Sequence, residues 1–343
     1  MKNRTICFTG KNQVELISQP VGEPGPQQVL VQTSKTLIST GTETICYARL
    51  FDPGTHWDNW VKYPFATGYS LAGHVVAIGR EVKDFKEGDR VAIRAAHQQY
   101  VMTTPTDLYP IPDGVPDEDA TWFGLANIAQ NGVRRAEHKL GDTVVVVGLG
   151  LLGQLVTQYA RLLGARQVIA IDPAQNRLTM ASAHGATSTL AMSVEAAYDE
   201  VMRLTGGLGA EVVYEITGAA PVFASALRLP RRFGCLLLLG DSGKPASQHL
   251  TPDIVLKGLR VIGAHDGNPP LVSSDHAPWS HRKMAELFYC YLSRSDMRVS
   301  DLITHRYAPD QAAEAYDMLM ERRAEAMGVI FDWKNDFERD RTI

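Results

Sequence analysis

A chain of 343 residues is longer than one hydrophobic core usually serves, and its 45% hydrophobic and 21% charged residues are the balance of an ordinary globular protein, so two domains are expected. The 34 basic and 38 acidic residues leave a formal charge of −4, which excludes the global basic field that would hold nucleic acid or an anionic membrane. The opening MKNRTICFTG has no apolar stretch of signal-peptide length, and no later apolar run reaches the roughly 18 residues of a membrane helix. A cytoplasmic location is expected.

The first third carries short apolar runs bounded by Gly and Pro: Val29 to Thr33 after Pro24-Gly25-Pro26, Ala72 to Ile78 before Gly79, and Arg90 to Ile93 after Gly88-Asp89. This punctuation predicts a compact all-β unit. From about Gly141 strands and helices alternate. Thr143 to Val147 is a β-branched strand, Gly153 to Leu163 has helical spacing with Gly164 to end it, and Gln167 to Ile171 is the next strand.

Helices are predicted near Ala174–His184, Val194–Thr205, Val222–Leu229 and Pro252–Gly258, with strands at Ala210–Ile216, Cys235–Gly240 and Leu259–Gly263. Strands apolar throughout and separated by helices imply a doubly wound parallel sheet, hence an α/β fold. After Gly267 the pattern loosens, then resumes with helices at Ser280–Leu292 and Pro309–Arg323 and a strand at Gly328–Asp332; the polar tail from Asp332 is expected to fray. The expected domains are residues 1–124, 125–268 and a return segment, 269–343, that completes the first.

Cys7, Cys46, Cys235 and Cys290 are dispersed singly. That spacing predicts neither a disulfide framework nor a zinc knuckle, but small buried side chains in a reducing compartment.

Gly148-Leu149-Gly150-Leu151-Leu152-Gly153 follows a predicted strand and opens a predicted helix. In that context Gly148 allows a tight turn, Gly150 admits a pyrophosphate close to the backbone, and Gly153 lets helix and strand pack, while the helix N-terminus offers free N–H groups and a positive dipole end. Asp172 ends the second strand, where a carboxylate accepts both ribose hydroxyls of an adenosine and repels a 2′-phosphate. NAD is therefore expected in preference to NADP. Arg177, one turn further on, is placed either over the adenine or in solvent.

Further runs join the glycine loop: Pro26-Gln27-Gln28-Val29-Leu30-Val31, Gly68 to Gly79 (GYSLAGHVVAIG), Gly88-Asp89-Arg90-Val91, and Gly209 to Glu215 leading to Gly218. With these the chain resembles the medium-chain dehydrogenase/reductase superfamily, the zinc-type alcohol dehydrogenase-like proteins. The resemblance implies a GroES-like β-domain with an inserted Rossmann domain. It also implies cofactor contacts at Gly148, Gly150, Leu151, Leu152, Gly153, Asp172, Arg177, Gly218 and Gly240. The runs Ile38 to Glu43 (ISTGTE) and Gly68-Tyr69 further resemble a zinc-lacking branch that contains bacteriochlorophyllide dehydrogenase.

Zinc relatives bind metal with Cys in a Cys-Gly-x-Asp run, with His of a His-Glu pair after Gly, and with a third ligand about two dozen residues before the glycine loop. Here those places read Thr40-Gly41-Thr42-Glu43, Gly68-Tyr69-Ser70 and Phe123-Gly124. The stretch Ala92 to His97, where many relatives cluster four cysteines for structural zinc, has none. No zinc is expected at either site.

Without a metal, a positioned base or donor must take the alcohol proton. By the resemblance Tyr69 stands in the ligand His position. Its hydroxyl serves as acid/base if positive charge lowers its pKa from about 10; otherwise its ring fills the vacated cavity with the hydroxyl on Glu43 or Ser70. Thr42 matches the proton-relaying hydroxyl of zinc relatives, or bonds local backbone, and Glu43 matches an acidic residue near the metal. His56, His97, His265, His276 and His281 are alternative bases, with His97 beside Arg94 in a segment that lines the pocket of relatives and His265 following the last Rossmann strand.

The aromatic stretch His56 to Phe65, with Trp57 and Trp60, suits a sugar or cyclitol ring, or else anchors its own loop. The expected activity is NAD-dependent, zinc-independent dehydrogenation of a secondary alcohol, possibilities being a sugar, cyclitol or other polyol. The rivals are NAD(P)H-dependent enone or quinone reduction and a catalytically silent dinucleotide-binding protein. The expected partners are a small-molecule substrate and, through the edge strand Leu259–Gly263, a second copy in a homodimer or homotetramer.

Overall fold

The computed structural model describes residues 2–334, so the tail from Asn335 onward lies outside the described residues. The chain divides into two units, one comprising the chain up to Leu50, His56–Gly124 and the part from Ala285 onward, the other comprising Phe51–Thr55 and Leu125–Met284. The return into the first unit comes at Ala285. Residues up to Met284 are tied to the second unit by main-chain carbonyls: Asn127 Nδ2 donates to His281 O at 3.0 Å and Gln130 Nε2 to Met284 O at 2.9 Å.

The first unit opens with the antiparallel pair β1 (Lys2–Gly10) and β2 (Gln13–Pro20), followed by β3 (Val29–Leu37). The expectation of an all-β unit then fails. Helix α1 (Thr40–Ala48) and helix α2 (His56–Trp60) intervene before β4 (Phe65–Ala66), β5 (Leu71–Ile78), β6 (Arg90–Ile93), β7 (Tyr100–Thr103) and β8 (Leu108–Pro110).

The β-branched threonines of α1 suggest a strand, but a local capping contact overrides them. Ser39 stands at the N-cap, and Glu43, one turn on, reaches back so that its Oε1 accepts the Ser39 N–H at 2.7 Å. Helices α3 (Asp117–Ala120) and α4 (Phe123–Ala136) follow.

In the second unit β9 (Thr143–Val147), α5 (Leu151–Leu162), β10 (Gln167–Ile171), α6 (Gln175–Ala183), β11 (Ser188–Leu190), α7 (Tyr198–Leu204) and β12 (Ala210–Glu215) alternate. They continue as α8 (Ala220–Ala226), β13 (Pro230–Leu238), α9 (Asp253–Lys257) and β14 (Arg260–Gly263). The strand order is β11-β10-β9-β12-β13-β14, all parallel. Every residue of β9 is buried, as a strand covered on both faces requires. The strand order reverses at β9, whose Val147 pairs with Ile171 on one side and Glu215 on the other.

After α10 (His281–Ser293) the chain adds β15 (Ile303–Tyr307), α11 (Ala312–Glu321) and β16 (Gly328–Asp332) to the first unit. There β16 pairs antiparallel with β3, so the C-terminal segment completes a sheet ordered β15-β16-β3-β5-β6-β8, with β7 also on β3. Val29, Val31, Leu71, Val75, Val91, Ile93, Val101 and Leu108 form its core. Among the described residues no helix is long and apolar enough to cross a membrane.

Candidate functional site

In the parallel-sheet unit the glycine loop runs from β9 into α5 at the point where strand order reverses, the place where such sheets bind ligands. Gly148 has φ +91°, and a Cβ there would meet Thr217 Cγ2 at 2.7 Å. A Cβ on Gly153 would collide with the Gly148 carbonyl, while one on Gly150, the N-cap of α5, would face open space. That space, above the first-turn N–H groups of Leu151 and Leu152, fits a pyrophosphate.

Asp172 is buried at 5% exposure. Its Oδ2 accepts the Leu149 N–H at 2.9 Å and its Oδ1 the Ala174 N–H at 2.8 Å. The carboxylate therefore fixes the glycine loop as well as marking the strand end, and each oxygen keeps a lone pair. Arg177 is neither stacked alone nor merely solvated: its Nη1 lies 3.7 Å from Asp172 Oδ2.

Gly218 and Gly240 face each other beyond β12 and β13, where a Cβ on Gly240 would collide with the Gly218 nitrogen. His265 is exposed after β14; its Nδ1 accepts the Gly267 N–H at 3.0 Å, and Asn131 Nδ2 donates to its carbonyl.

The first unit gathers another constellation. Tyr69 OH donates to Ser39 Oγ at 2.6 Å, which corrects the expectation of a bond to Glu43 or Ser70. Glu43 is unavailable because its carboxyl group is 2% exposed and already committed. Besides Ser39 N–H on Oε1, its Oε2 receives Thr67 Oγ1 at 2.9 Å, His97 Nε2 at 3.0 Å and Tyr316 OH at 2.5 Å.

His97 is fully buried, which corrects its candidacy as a base that meets substrate: its ring lies against Gly68, where a Cβ would come within 2.6 Å. The Tyr316 hydroxyl is held far above its ordinary pKa by burial, then by the Glu43 charge, and so stays a donor.

Gly124 explains why Tyr69 and Ser70 fit. A Cβ there would meet Ser70 Oγ at 2.6 Å and approach Tyr69 Cδ2 at 3.6 Å. A side chain at position 124 would therefore require the Ser70 hydroxyl to move. Arg94 Nη2 donates to Gly124 O at 3.1 Å. Thr42 is half-buried in the first turn of α1.

Trp57 is buried at 4% exposure, with its ring centroid 5.8 Å from that of Trp60, and Trp60, 51% exposed, stands edge-on to Phe65 at 5.1 Å. Trp57 thus anchors the loop rather than presenting a face, and only Trp60 is open to a ring.

A zinc ion does not fit these residues. Zinc sites use thiolate, imidazole or carboxylate, whereas the places where the resemblance implies ligands offer Thr40, Tyr69 and Phe123-Gly124, and the nearby Glu43 carboxyl group has four donors. Among the described residues no group of three or more His, Cys, Asp or Glu side chains is disposed to hold a metal.

Sequence reasoning missed the roles of Ser39, Thr67 and Tyr316. Ser39 was detectable as a helix-capping residue type. Tyr316, 273 residues from Glu43, carries no local signal.

Residues 25–113 match the family described as alcohol dehydrogenase GroES-like domain, and residues 152–279 that described as zinc-binding dehydrogenase. The second match contains none of positions 40–43, 69 or 123–124. The chain is 27% identical to L-threonine 3-dehydrogenase of Proteus mirabilis over 352 residues, covering 92% of this chain and 95% of that protein. It is 29% identical to D-guloside 3-dehydrogenase of Escherichia coli over 275 residues, 78% of each chain. Among solved structures, galactitol-1-phosphate dehydrogenase from Escherichia coli superposes with a TM-score of 0.78 at 21% identity, over 96% of this chain and 99% of that one. An oxidoreductase of unknown specificity from the same organism, ECK1772, gives 0.81 at 20% identity, over 97% and 99%. These likenesses fit the GroES-like and parallel-sheet units described above, and the chain belongs to the medium-chain dehydrogenase/reductase superfamily as an alcohol dehydrogenase-like oxidoreductase.

Proposed function

We propose that the protein dehydrogenates a secondary alcohol of the sugar, cyclitol or other polyol class with NAD as the preferred cofactor and without zinc. What carries the reading is a phenol, Tyr69, where the resemblance implies a metal ligand, packed beside Gly124, where a Cβ would meet Ser70 Oγ at 2.6 Å. The relatives named for dehydrogenation at position 3 of L-threonine and of D-guloside both support a secondary alcohol as substrate, and the guloside supports a hydroxylated ring.

The glycine loop and the N–H groups of Leu151 and Leu152 receive the pyrophosphate, with Gly218 and Gly240 keeping the strand ends low. The remaining lone pairs of Asp172 accept ribose hydroxyls, and its charge opposes a 2′-phosphate. Bound nicotinamide supplies a hydride acceptor. Tyr69, as phenolate, takes the carbinol proton as the C–H bond breaks, and Thr42 supplies a neighbouring hydroxyl. Arg94 and the exposed face of Trp60 orient a hydroxylated ring. His265 is the alternative base. The buried Glu43 and His97 hold the scaffold.

The test is cofactor reduction, followed by absorbance, across a panel of polyols, cyclitols and sugar alcohols with NAD and with NADP. Turnover is expected with NAD, and Tyr69→Phe should lower kcat about a hundredfold or more while His265→Asn does not. NADPH-linked reduction of an enone or quinone without alcohol turnover overturns the reading, as does cofactor binding with no turnover of either class.

The same family habit supports a homodimer or homotetramer. β14 ends the parallel sheet with Val261 38% exposed, and α9 before it leaves Val255 and Leu256 85% and 75% exposed. Light scattering at micromolar concentration should give at least a dimer, and a monomer would refute this.

A further inference from the structure

We propose that Ser39 is the positioning residue that lets Tyr69 change protonation state, with Glu43 as the clamp that fixes Ser39. This rests on the reading of Tyr69 as the acid/base. Tyr69 OH lies 2.6 Å from Ser39 Oγ, a short hydroxyl–hydroxyl bond, and Ser39 is 6% exposed. A serine hydroxyl both accepts and donates. It accepts from the phenol and, after one rotation about its C–O bond, donates to the phenolate. The proton taken from the carbinol oxygen stays on Tyr69 until solvent removes it, and Ser39 keeps its own proton throughout, so the step balances.

The main chain of Ser39 is held by the Glu43 carboxyl group, itself gripped by donors from three separate segments: Thr67 before β5, His97 after β6, and Tyr316 on α11. Their convergence determines where Ser39 stands, and with it where the phenol points. Ser39 also begins α1, whose positive dipole end favours an anionic partner. Titratable and charged groups around the pair include Glu43 on α1, bonded to the Ser39 N–H, with His97 and Tyr316 on its carboxyl group, Arg94 on the carbonyl of Gly124 beside Tyr69, and Arg323, whose Nη2 is 3.7 Å from where Gly41 would carry a Cβ. A change of Ser39 alone leaves all of these in place.

The experiment follows the ring-carbon NMR signal of Tyr69 against pH in the full-length protein labelled with 13C-tyrosine, the signal being assigned by its loss in Tyr69→Phe. Ser39→Ala should raise the Tyr69 midpoint by about one pH unit, a factor of ten, which is the scale of a hydrogen bond made preferentially to the charged form. Ser39→Thr, which keeps the hydroxyl, should restore it. A calorimetric transition of the first unit that matches the parent's serves as the check that each variant is folded.

A Ser39→Ala midpoint within about 0.2 unit of the parent, a Ser39→Thr variant that melts like the parent yet fails to restore it, or a Tyr69 signal that does not titrate before the protein unfolds overturns the assignment. Turnover by Tyr69→Phe decides the parent reading separately. A variant that still turns over removes the acid/base role, whereas an unmoved titration in Ser39→Ala removes Ser39 even when Tyr69→Phe is dead.

Discussion

Replacing Glu43 by alanine probes how firmly the first unit is built around one buried carboxyl group. Four donors converge on it at 2.5 to 3.0 Å from Ser39, Thr67, His97 and Tyr316, and the side chain is 2% exposed. Truncation leaves all four donors facing a small cavity. A buried donor left unpaired costs about 1–3 kcal/mol, but neighbours in one network do not add, and breaking a buried charged cluster by removing its centre costs about 3–5 kcal/mol. Taking about 4 kcal/mol, with about 2–4 °C lost per kcal/mol in a domain of 150–250 residues, the melting transition of this unit should fall by about 10 °C. Glu43→Gln keeps the shape and one acceptor oxygen and should lose about half as much. Differential scanning calorimetry reads the transition, and NADH fluorescence shows whether the parallel-sheet unit keeps its cofactor site. A Glu43→Ala transition within about 2 °C of the parent would mean that the network contributes nothing, and the reasoning would fail.

Asp172→Asn should narrow the preference for NADH over NADPH at least about tenfold in a fluorescence titration, and because the amide has one acceptor oxygen where the carboxylate has two it should also weaken NADH binding. Asp119 is raised from its ordinary carboxylate value to about 6, first by burial and then by Glu118 and Asp301. The folded chain therefore binds this proton more tightly than the unfolded chain does. Stability should fall as pH rises from about 4 to about 6, and Asp119→Asn should raise the melting temperature at pH above 6 while changing it little near pH 4.

The parallel-sheet unit was legible because its signals are local. The valines of β9, the glycine spacing and an acid at the end of β10 each follow from short-range steric and electrostatic rules, and the structure puts all of them at the strand-order reversal. The first unit was legible only in outline. Threonines hid α1, whose start is held by a side chain that reads as an acid for chemistry until its donors are known. His97 and Glu43 looked like reactive groups because residue type and position suggested it, yet their burial and mutual bond are tertiary facts. Tyr316 joins them from the far end of the chain, so no window along the sequence could have announced it. That Thr40, Tyr69 and Phe123-Gly124 stand where the resemblance implies metal ligands was visible, but the close approach of Gly124 to Tyr69 and Ser70 needed the fold.

The central claim, hydride chemistry on a polyol with Tyr69 where relatives hold zinc, is tested most directly by assaying NAD-linked turnover of the responding alcohol before and after chelation while divalent metal content is measured by mass spectrometry. Undiminished turnover after chelation and its collapse in Tyr69→Phe are expected. A stoichiometric divalent ion whose removal abolishes turnover, with Tyr69→Phe still active once the ion is restored, would contradict it.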